Sequence, residues 1–367
     1  MKRENEDIKT LPGIDTLYYF IPISDLNYIE FYNDFVENEY ISDNWKFLGY
    51  SSKNTGFVGS WFEYSIKSDK YGLNIPIFKV GFKSPFKQKN VPNIYVQLLA
   101  NGIYLLGLEN LIREVSLVLG EYLEVLSYID DDFTLFQVSR VDVNMFVEYD
   151  FSKANWQCFK SSARSYTQNF VDGYEFVNGT ELETIYLGKR SSDVCLRVYN
   201  KLRELETQKK KNPLKYIIMS DYFERNGFVD TQSIWNIEFM LKREALKSYG
   251  IYTISDLFLK IGSVFKDLMT KYVFLGFDSE KYARLRKSKH LNRVPPSSIW
   301  EYFRDSFNIY DSDFVERNVK KYDVDYDRYY KEKLVSDIVK AKMIGVDVEN
   351  ILRHIFKVLG KKSLSIN

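Results

Sequence analysis

Period-two alternation of apolar and polar residues dominates several stretches of this chain. In 138–149, Val141, Val143, Met145 and Val147 alternate with Arg140, Asp142, Asn144 and Glu148, so that successive side chains leave opposite faces of an extended strand. Residues 233–242 repeat the pattern, with Trp235, Ile237, Phe239 and Leu241 on one side and Asn236, Glu238 and Lys242 on the other. Two short runs, 184–188 and 194–201, flank the turn segment KRSSD and predict a hairpin. Further strands are expected at 14–22, 76–83 and 93–99. From Asn101 the spacing changes: Leu105, Leu108, Ile112, Val115, Val118 and Leu119 lay one apolar stripe along a helix expected over 102–126. Other helices are expected near 156–171 and over 255–275, 298–309 and 330–359, with Ser255 as an N-cap and Pro295-Pro296 as a break. The charged stretch 202–215 leads away from the hairpin.

These elements imply an α+β fold, an antiparallel sheet backed by helices, followed by an α-helical C-terminal region. At 367 residues the chain suits two domains. The expected division places the sheet-bearing part in 1–250 and the helical part in 251–367.

Composition removes several classes of function. Lys+Arg 51 against Asp+Glu 50 gives a net charge of +1, so nucleic acid would have to be gripped by local patches. Two cysteines, Cys158 and Cys195, supply neither a disulfide framework nor a four-ligand zinc site. The histidines, His290 and His354, are too few and too far apart for a histidine metal site. With no signal-like N-terminal segment and no apolar run of membrane-spanning length, a cytoplasmic protein without a membrane partner is expected.

Three strands then present chemistry on faces of common parity: Arg140, Asp142 and Asn144; Arg197, Tyr199 and Lys201; Asn236, Glu238 and Lys242. A solvated sheet face would give the same alternation. Two carboxylates, a tyrosine and several cations nevertheless suit phosphodiester cleavage. A tyrosine hydroxyl of pKa about 10 needs nearby cations or a metal to favour its phenolate, and Lys201 and Arg197 are the candidates. Asp142 and Glu238 are hard oxygen ligands suited to Mg²⁺ or Mn²⁺. In-line attack by the tyrosine would leave a 5′-phosphotyrosine and a free 3′-hydroxyl. Tyrosine is abundant, at 29 residues, so Tyr186 on the partner strand is an alternative nucleophile, and Tyr199 packed at a sheet edge is another reading. Likewise a salt bridge from Asp142 to Arg140 or Arg197 competes with metal binding.

In motif, the chain resembles the rolling-circle replication initiators of the Rep-trans type, a plasmid and phage family whose relatives include conjugative relaxases. The similarity spans roughly residues 90–245 and is carried by SRVDVNMFVE (139–148), TIYLGKRSSDVCLRVYNKLRELE (184–206), WNIEFMLKRE (235–244) and, more weakly, NIYVQLLANG (93–102). It implies Asp142 as a metal-binding acid, Tyr199 as nucleophile with Lys201 beside it and Glu204 trailing, and a role for Glu238. Asp15, in the strand expected at 14–22, is an extra candidate ligand.

Such an initiator would nick and rejoin origin DNA at a hairpin or single-stranded site, often as a homodimer with a host helicase. The resemblance also places an origin-specificity segment near 279–293, where Lys281, Arg284, Arg286, Lys287, Lys289 and Arg293 stand against one acid, Glu280, with Tyr282 and His290 available to stack or donate. Arg140 is a further DNA-contact candidate, and 201–215 is a second basic tract. Two other functions compete: a non-catalytic DNA-binding regulator on the same fold, and a metal-dependent nuclease that uses water.

Overall fold

The computed structural model describes residues 8–23, 25–33, 36, 43–51, 59–84, 93–122, 133, 135–161, 175–178, 181–228 and 233–310. Their strands are β1 (Thr10–Ile21), β2 (Trp45–Ser51), β3 (Gly59–Ser68), β4 (Leu73–Lys83), β5 (Ile94–Leu98), β6 (Gln137–Val147), β7 (Phe159–Ser161), β8 (Glu175–Asn178), β9 (Glu181–Leu187), β10 (Val194–Asn200), β11 (Trp235–Lys242) and β12 (Tyr272–Phe274). The helices are α1 (Asp25–Tyr32), α2 (Ala100–Leu106), α3 (Leu108–Gly120), α4 (Lys201–Gln208), α5 (Pro213–Arg225), α6 (Arg243–Ser248), α7 (Ile254–Lys271), α8 (Ser279–Lys287) and α9 (Ser298–Ser306).

Ten strands form one antiparallel sheet in the order β2-β3-β4-β5-β1-β6-β11-β10-β9-β8, so the fold is α+β, as the alternation implies. β6 lies between β1 and β11, and its pairings Val143↔Phe239 and Met145↔Ile237 put the apolar halves of two strands on one face. That face is buried: Val141, Val143, Met145, Ile237, Phe239 and Leu241 are all at 0% exposure, each such side chain contributing about 1.5–3 kcal/mol of transfer free energy. α7 and the small β12-β7 sheet cover it, with Phe239 against Phe265 at 5.4 Å and against Tyr272 at 5.5 Å. One compact unit covers Met1–Asn318, and residues from both sides of position 250 share its buried core. A second unit, Val319–Asn367, lies outside the described residues, as does the helix expected over 330–359.

Several boundaries differ from the sequence expectation. The helix foreseen over 102–126 is two helices, because Gly107 adopts φ +80° and turns the chain between α2 and α3; a side chain there would be strained. α2 lies so close to β4 that a Cβ on Gly102 would sit 2.7 Å from the Ile77 carbonyl oxygen. The helix expected near 156–171 opens instead as a single 3₁₀ turn, Trp156–Cys158, followed by β7; residues 162–171 are outside the described set. The N-cap of α7 lies two residues earlier than Ser255. Thr253 is its N-cap, closed by a capping box with Asp256. It also stops at Lys271, and Tyr272–Phe274 pairs with β7, so the C-terminal region is not purely helical. The stretch 202–215 is largely helical, in α4 and the start of α5. Among the described residues no helix is long and apolar enough to cross a membrane.

Candidate active site

Register brings the chemistry-bearing residues of β6, β10 and β11 onto one face. Arg197 pairs with Glu238 and Tyr199 with Asn236 across β10 and β11, while Glu238 pairs with Asn144 and Met240 with Asp142 across β11 and β6. Asp142 and Glu238 are therefore diagonal neighbours on adjacent strands. β10 ends at Asn200, whose side chain caps α4 by accepting from the Arg203 N–H. Lys201 is thus the first residue of that helix and not a strand residue, yet its ammonium still turns back toward Tyr199.

The Tyr199 hydroxyl is the centre of a small buried network. It donates to Glu238 Oε2 at 3.3 Å and accepts from Asn236 Nδ2 at 2.9 Å and Lys201 Nζ at 3.3 Å. The Arg197 guanidinium lies 4.1 Å from its ring centroid and donates to Glu238 Oε2 at 2.8 Å. Lys201 in turn pairs with Glu204 at 2.8 Å, and Glu204 also holds Lys215 of α5 at 2.7 Å. Asn144 Nδ2 donates to Asn236 Oδ1 at 3.0 Å, while Asn144 Oδ1 is buried and accepts no hydrogen bond among the described residues.

This face is polar but not solvated. Tyr199 is 3% exposed, Lys201 1%, Asp142 and Glu238 5% each, and Asn144 and Asn236 0%. The cover comes from α2 and α5: Tyr104 stands 6.1 Å from Phe146 and 4.6 Å from Tyr222, and Phe223 meets Phe146 edge-on at 5.0 Å. A bulge in β1 leaves Asp15 as the extra residue between Ile14 and Thr16, and Asp15 accepts from the Tyr104 hydroxyl at 2.5 Å.

Burial sets the electrostatics. It pushes the Tyr199 hydroxyl well above the ordinary value of 10.0; the charge of Glu238 adds to the shift and Arg197 opposes it. Burial also pushes Asp142 up to about 7, against the hydrogen bond from Arg140 and with help from the charge of Glu238. For Glu204, burial is outweighed by Lys201 and Lys215, which hold it down at about 2. Cys195 is raised to about 11 by burial and points at the Gly188 carbonyl, as a packed thiol would.

Both proposed metal ligands are occupied by arginine. Arg140 binds Asp142 through Nε at 2.8 Å and Nη2 at 2.5 Å, and Arg197 binds Glu238. Mg²⁺ or Mn²⁺ takes about six oxygens in near-octahedral geometry, and among the described residues no group of three or more His, Cys, Asp or Glu side chains is placed to hold a metal. In this arrangement the donor set does not fit a divalent cation.

The basic segment 279–293 lies elsewhere. It follows β12 and carries α8, whose Tyr282 hydroxyl is buried and donates to the Leu275 carbonyl at 2.6 Å, so this ring does not stack on a ligand. Arg286 is turned inward, donating to the Phe159 carbonyl at 2.8 Å with its guanidinium 4.9 Å from the Trp156 ring. Lys281, Arg284, Lys287, Lys289 and Arg293 are exposed. The layer they belong to packs on the apolar face of β11, opposite the side that bears Tyr199. By contrast, Lys209, Lys210 and Lys211 are exposed in the turn that follows α4, the helix that Lys201 begins.

Tyr186, the alternative nucleophile, pairs in register with Arg197 and is engaged by Arg190, both through its hydroxyl and over its ring at 4.6 Å. Of these two tyrosines, Tyr199 is the one bonded to a carboxylate and an ammonium together. Sequence parity placed Asn144 and Asn236 on this face but gave them no part; their amide-to-amide bond carries the network from β6 to the hydroxyl. Tyr104 and Lys215 reach the site from distant helices, and nothing in their local pattern marks them.

No family model matches the chain, and no curated protein does. Among solved structures, the rolling circle replication initiator protein from Geobacillus stearothermophilus is similar over 83% of this chain and 98% of that one, with a TM-score of 0.42 and 14% sequence identity.

Proposed function

We propose that this chain nicks and rejoins one strand of DNA at a replication origin through a covalent 5′-phosphotyrosine on Tyr199, initiating rolling-circle replication or conjugative transfer. The observation that carries the reading is the Tyr199 hydroxyl held between a carboxylate, Glu238, and an ammonium, Lys201. The motif resemblance over 139–148, 184–206 and 235–244 supports it.

In the proposed reaction the Tyr199 oxygen attacks the scissile phosphorus, its proton passes to Glu238, and the bond from phosphorus to the 3′-oxygen breaks. The departing 3′-oxygen takes up that proton and leaves as a hydroxyl. Lys201 and Arg197 offset the charge that develops on phenolate and phosphate, an effect strengthened by exclusion of water. Because Tyr199 is 3% exposed, the strand reaches it only when the covering side chains of α2 and α5 move aside. A second reading, a DNA-binding regulator that does no chemistry, is favoured by that burial and by the raised hydroxyl.

One assay separates the two. The protein is incubated with a pool of single-stranded oligonucleotides of randomised sequence, in Mg²⁺, in Mn²⁺ and in EDTA, and resolved on a denaturing gel. The nickase reading predicts a protein band shifted by attached DNA that Tyr199→Phe abolishes while DNA binding persists. Binding with no shifted band under any of the three conditions supports the regulator, and cleavage without attached protein supports a nuclease that uses water.

A further inference from the structure

The sheet face that bears Tyr199 continues past Arg140 into a strip of aromatic rings. On this face Tyr18 of β1 pairs with Arg140 of β6 and with Gln97 of β5. Phe20 pairs with Tyr95, Tyr95 with Gly81 of β4, and Gly81 with Trp61 of β3. Gly81 matters to the geometry: two strand spacings of roughly 4.8 Å separate the backbones of Trp61 and Tyr95, and the missing side chain between them lets the rings meet edge-on at 5.7 Å. Tyr95 also lies 4.6 Å from Phe20 and 5.8 Å from Tyr18. The four rings are partly exposed, in contrast to the fully buried rings on the opposite face.

We propose that Tyr18, Phe20, Tyr95 and Trp61 form a stacking platform for the bases of the DNA single strand that enters the Tyr199 site, with Arg140 as the cation joining platform to site. This rests on the nicking reading above. Aromatic faces accept any base, because every base has a π-face, and they suit a strand that must be held unpaired while its backbone is cut. Where the platform meets the active-site face, the Arg140 guanidinium lies 5.1 Å from the Tyr18 ring centroid while its nitrogens bind Asp142, so a planar cation continues the row of rings.

Continuity with the site sets the distance. Tyr18 is opposite Arg140, Arg140 is opposite Lys242, and Asn236, the neighbour of Tyr199, is six residues back along β11. Strand geometry puts the Tyr18 and Tyr199 backbones roughly 20–25 Å apart, a span of a few nucleotides.

The test uses the Tyr199→Phe protein, so that no covalent step contributes, and measures by fluorescence anisotropy the affinity for a thymidine oligonucleotide and for an abasic chain of equal length and charge. The platform predicts that removing the bases weakens binding, and that Trp61→Leu and Tyr95→Leu each weaken thymidine binding roughly 5- to 100-fold while leaving abasic binding unchanged. Trp61→Phe, which keeps a ring, restores most of the loss. Equal affinity for the intact and abasic chains overturns the platform, and that comparison needs no platform variant to fold. Leucine variants that melt as the parent does and bind thymidine as tightly overturn it as well. Base-dependent binding in a protein that forms no adduct leaves the platform standing and removes only the nicking reading; adduct formation with base-independent binding does the reverse.

Discussion

Replacing Lys201 by methionine tests the buried network quantitatively. Lys201 is 1% exposed and faces the Tyr199 hydroxyl and Glu204. Glu204 is held at about 2, against about 4.3 for a free glutamate, and at 1.36 kcal/mol per unit that difference is about 3 kcal/mol. Lys201 and Lys215 share it, so Lys201→Met forfeits roughly half. Losing one donor to the Tyr199 hydroxyl adds about 1 kcal/mol, and relief of the buried ammonium's desolvation offsets part of the sum. A net loss of about 2 kcal/mol is expected in urea unfolding at pH 7. The acid limb gives a sharper signature. Because the folded-state value of Glu204 is depressed, its stabilisation is fully present above about pH 4.5 and fades as pH falls toward 2. Across that window the parent loses about 3 kcal/mol from this group, and Lys201→Met loses about half as much. An unchanged midpoint together with an unchanged acid slope would refute the network.

Arg197→Gln leaves the Glu238 carboxylate buried without its guanidinium and should cost about 3–5 kcal/mol in urea unfolding; a loss under about 1 kcal/mol would contradict a stabilising role for this ion pair. Gly102→Ala drives a methyl to 2.7 Å from the Ile77 carbonyl and 2.9 Å from Leu111, and a loss of about 1–3 kcal/mol is expected by thermal melting. Neutralising Arg284, Lys287 and Lys289 together should flatten the salt dependence of DNA binding by about 2–3 in slope without changing the melting temperature. Arg286→Ala should instead lower the melting temperature, since its guanidinium serves the Phe159 carbonyl.

The alternation that located β6, β10 and β11 is a local property, and it correctly assigned Arg197, Tyr199, Asn236 and Glu238 to one face. Whether that face meets water is not local. Phe146 and Tyr199 are covered by Tyr104 and Phe223, side chains of helices far along the chain, and no periodicity near residue 199 announces them. Gly107 breaks the helix, but Leu105, Leu108 and Ile112 keep helical spacing across it, so the apolar stripe concealed the turn. Tyr272–Phe274 continues the apolar run of α7 in the same way, and only pairing with β7 makes it a strand. Arg286 shows the limit for charge patterns: it sits among exposed cations in sequence, yet points inward to carbonyls brought up by the fold.

Mass spectrometry of the peptide left attached to DNA puts the central proposal to its most direct trial. After incubation with the randomised single-stranded pool and digestion by protease and nuclease, the account predicts a nucleotide mass on the peptide containing residue 199 and nowhere else. Attachment at Tyr186, or strand cleavage with no modified peptide, would contradict it.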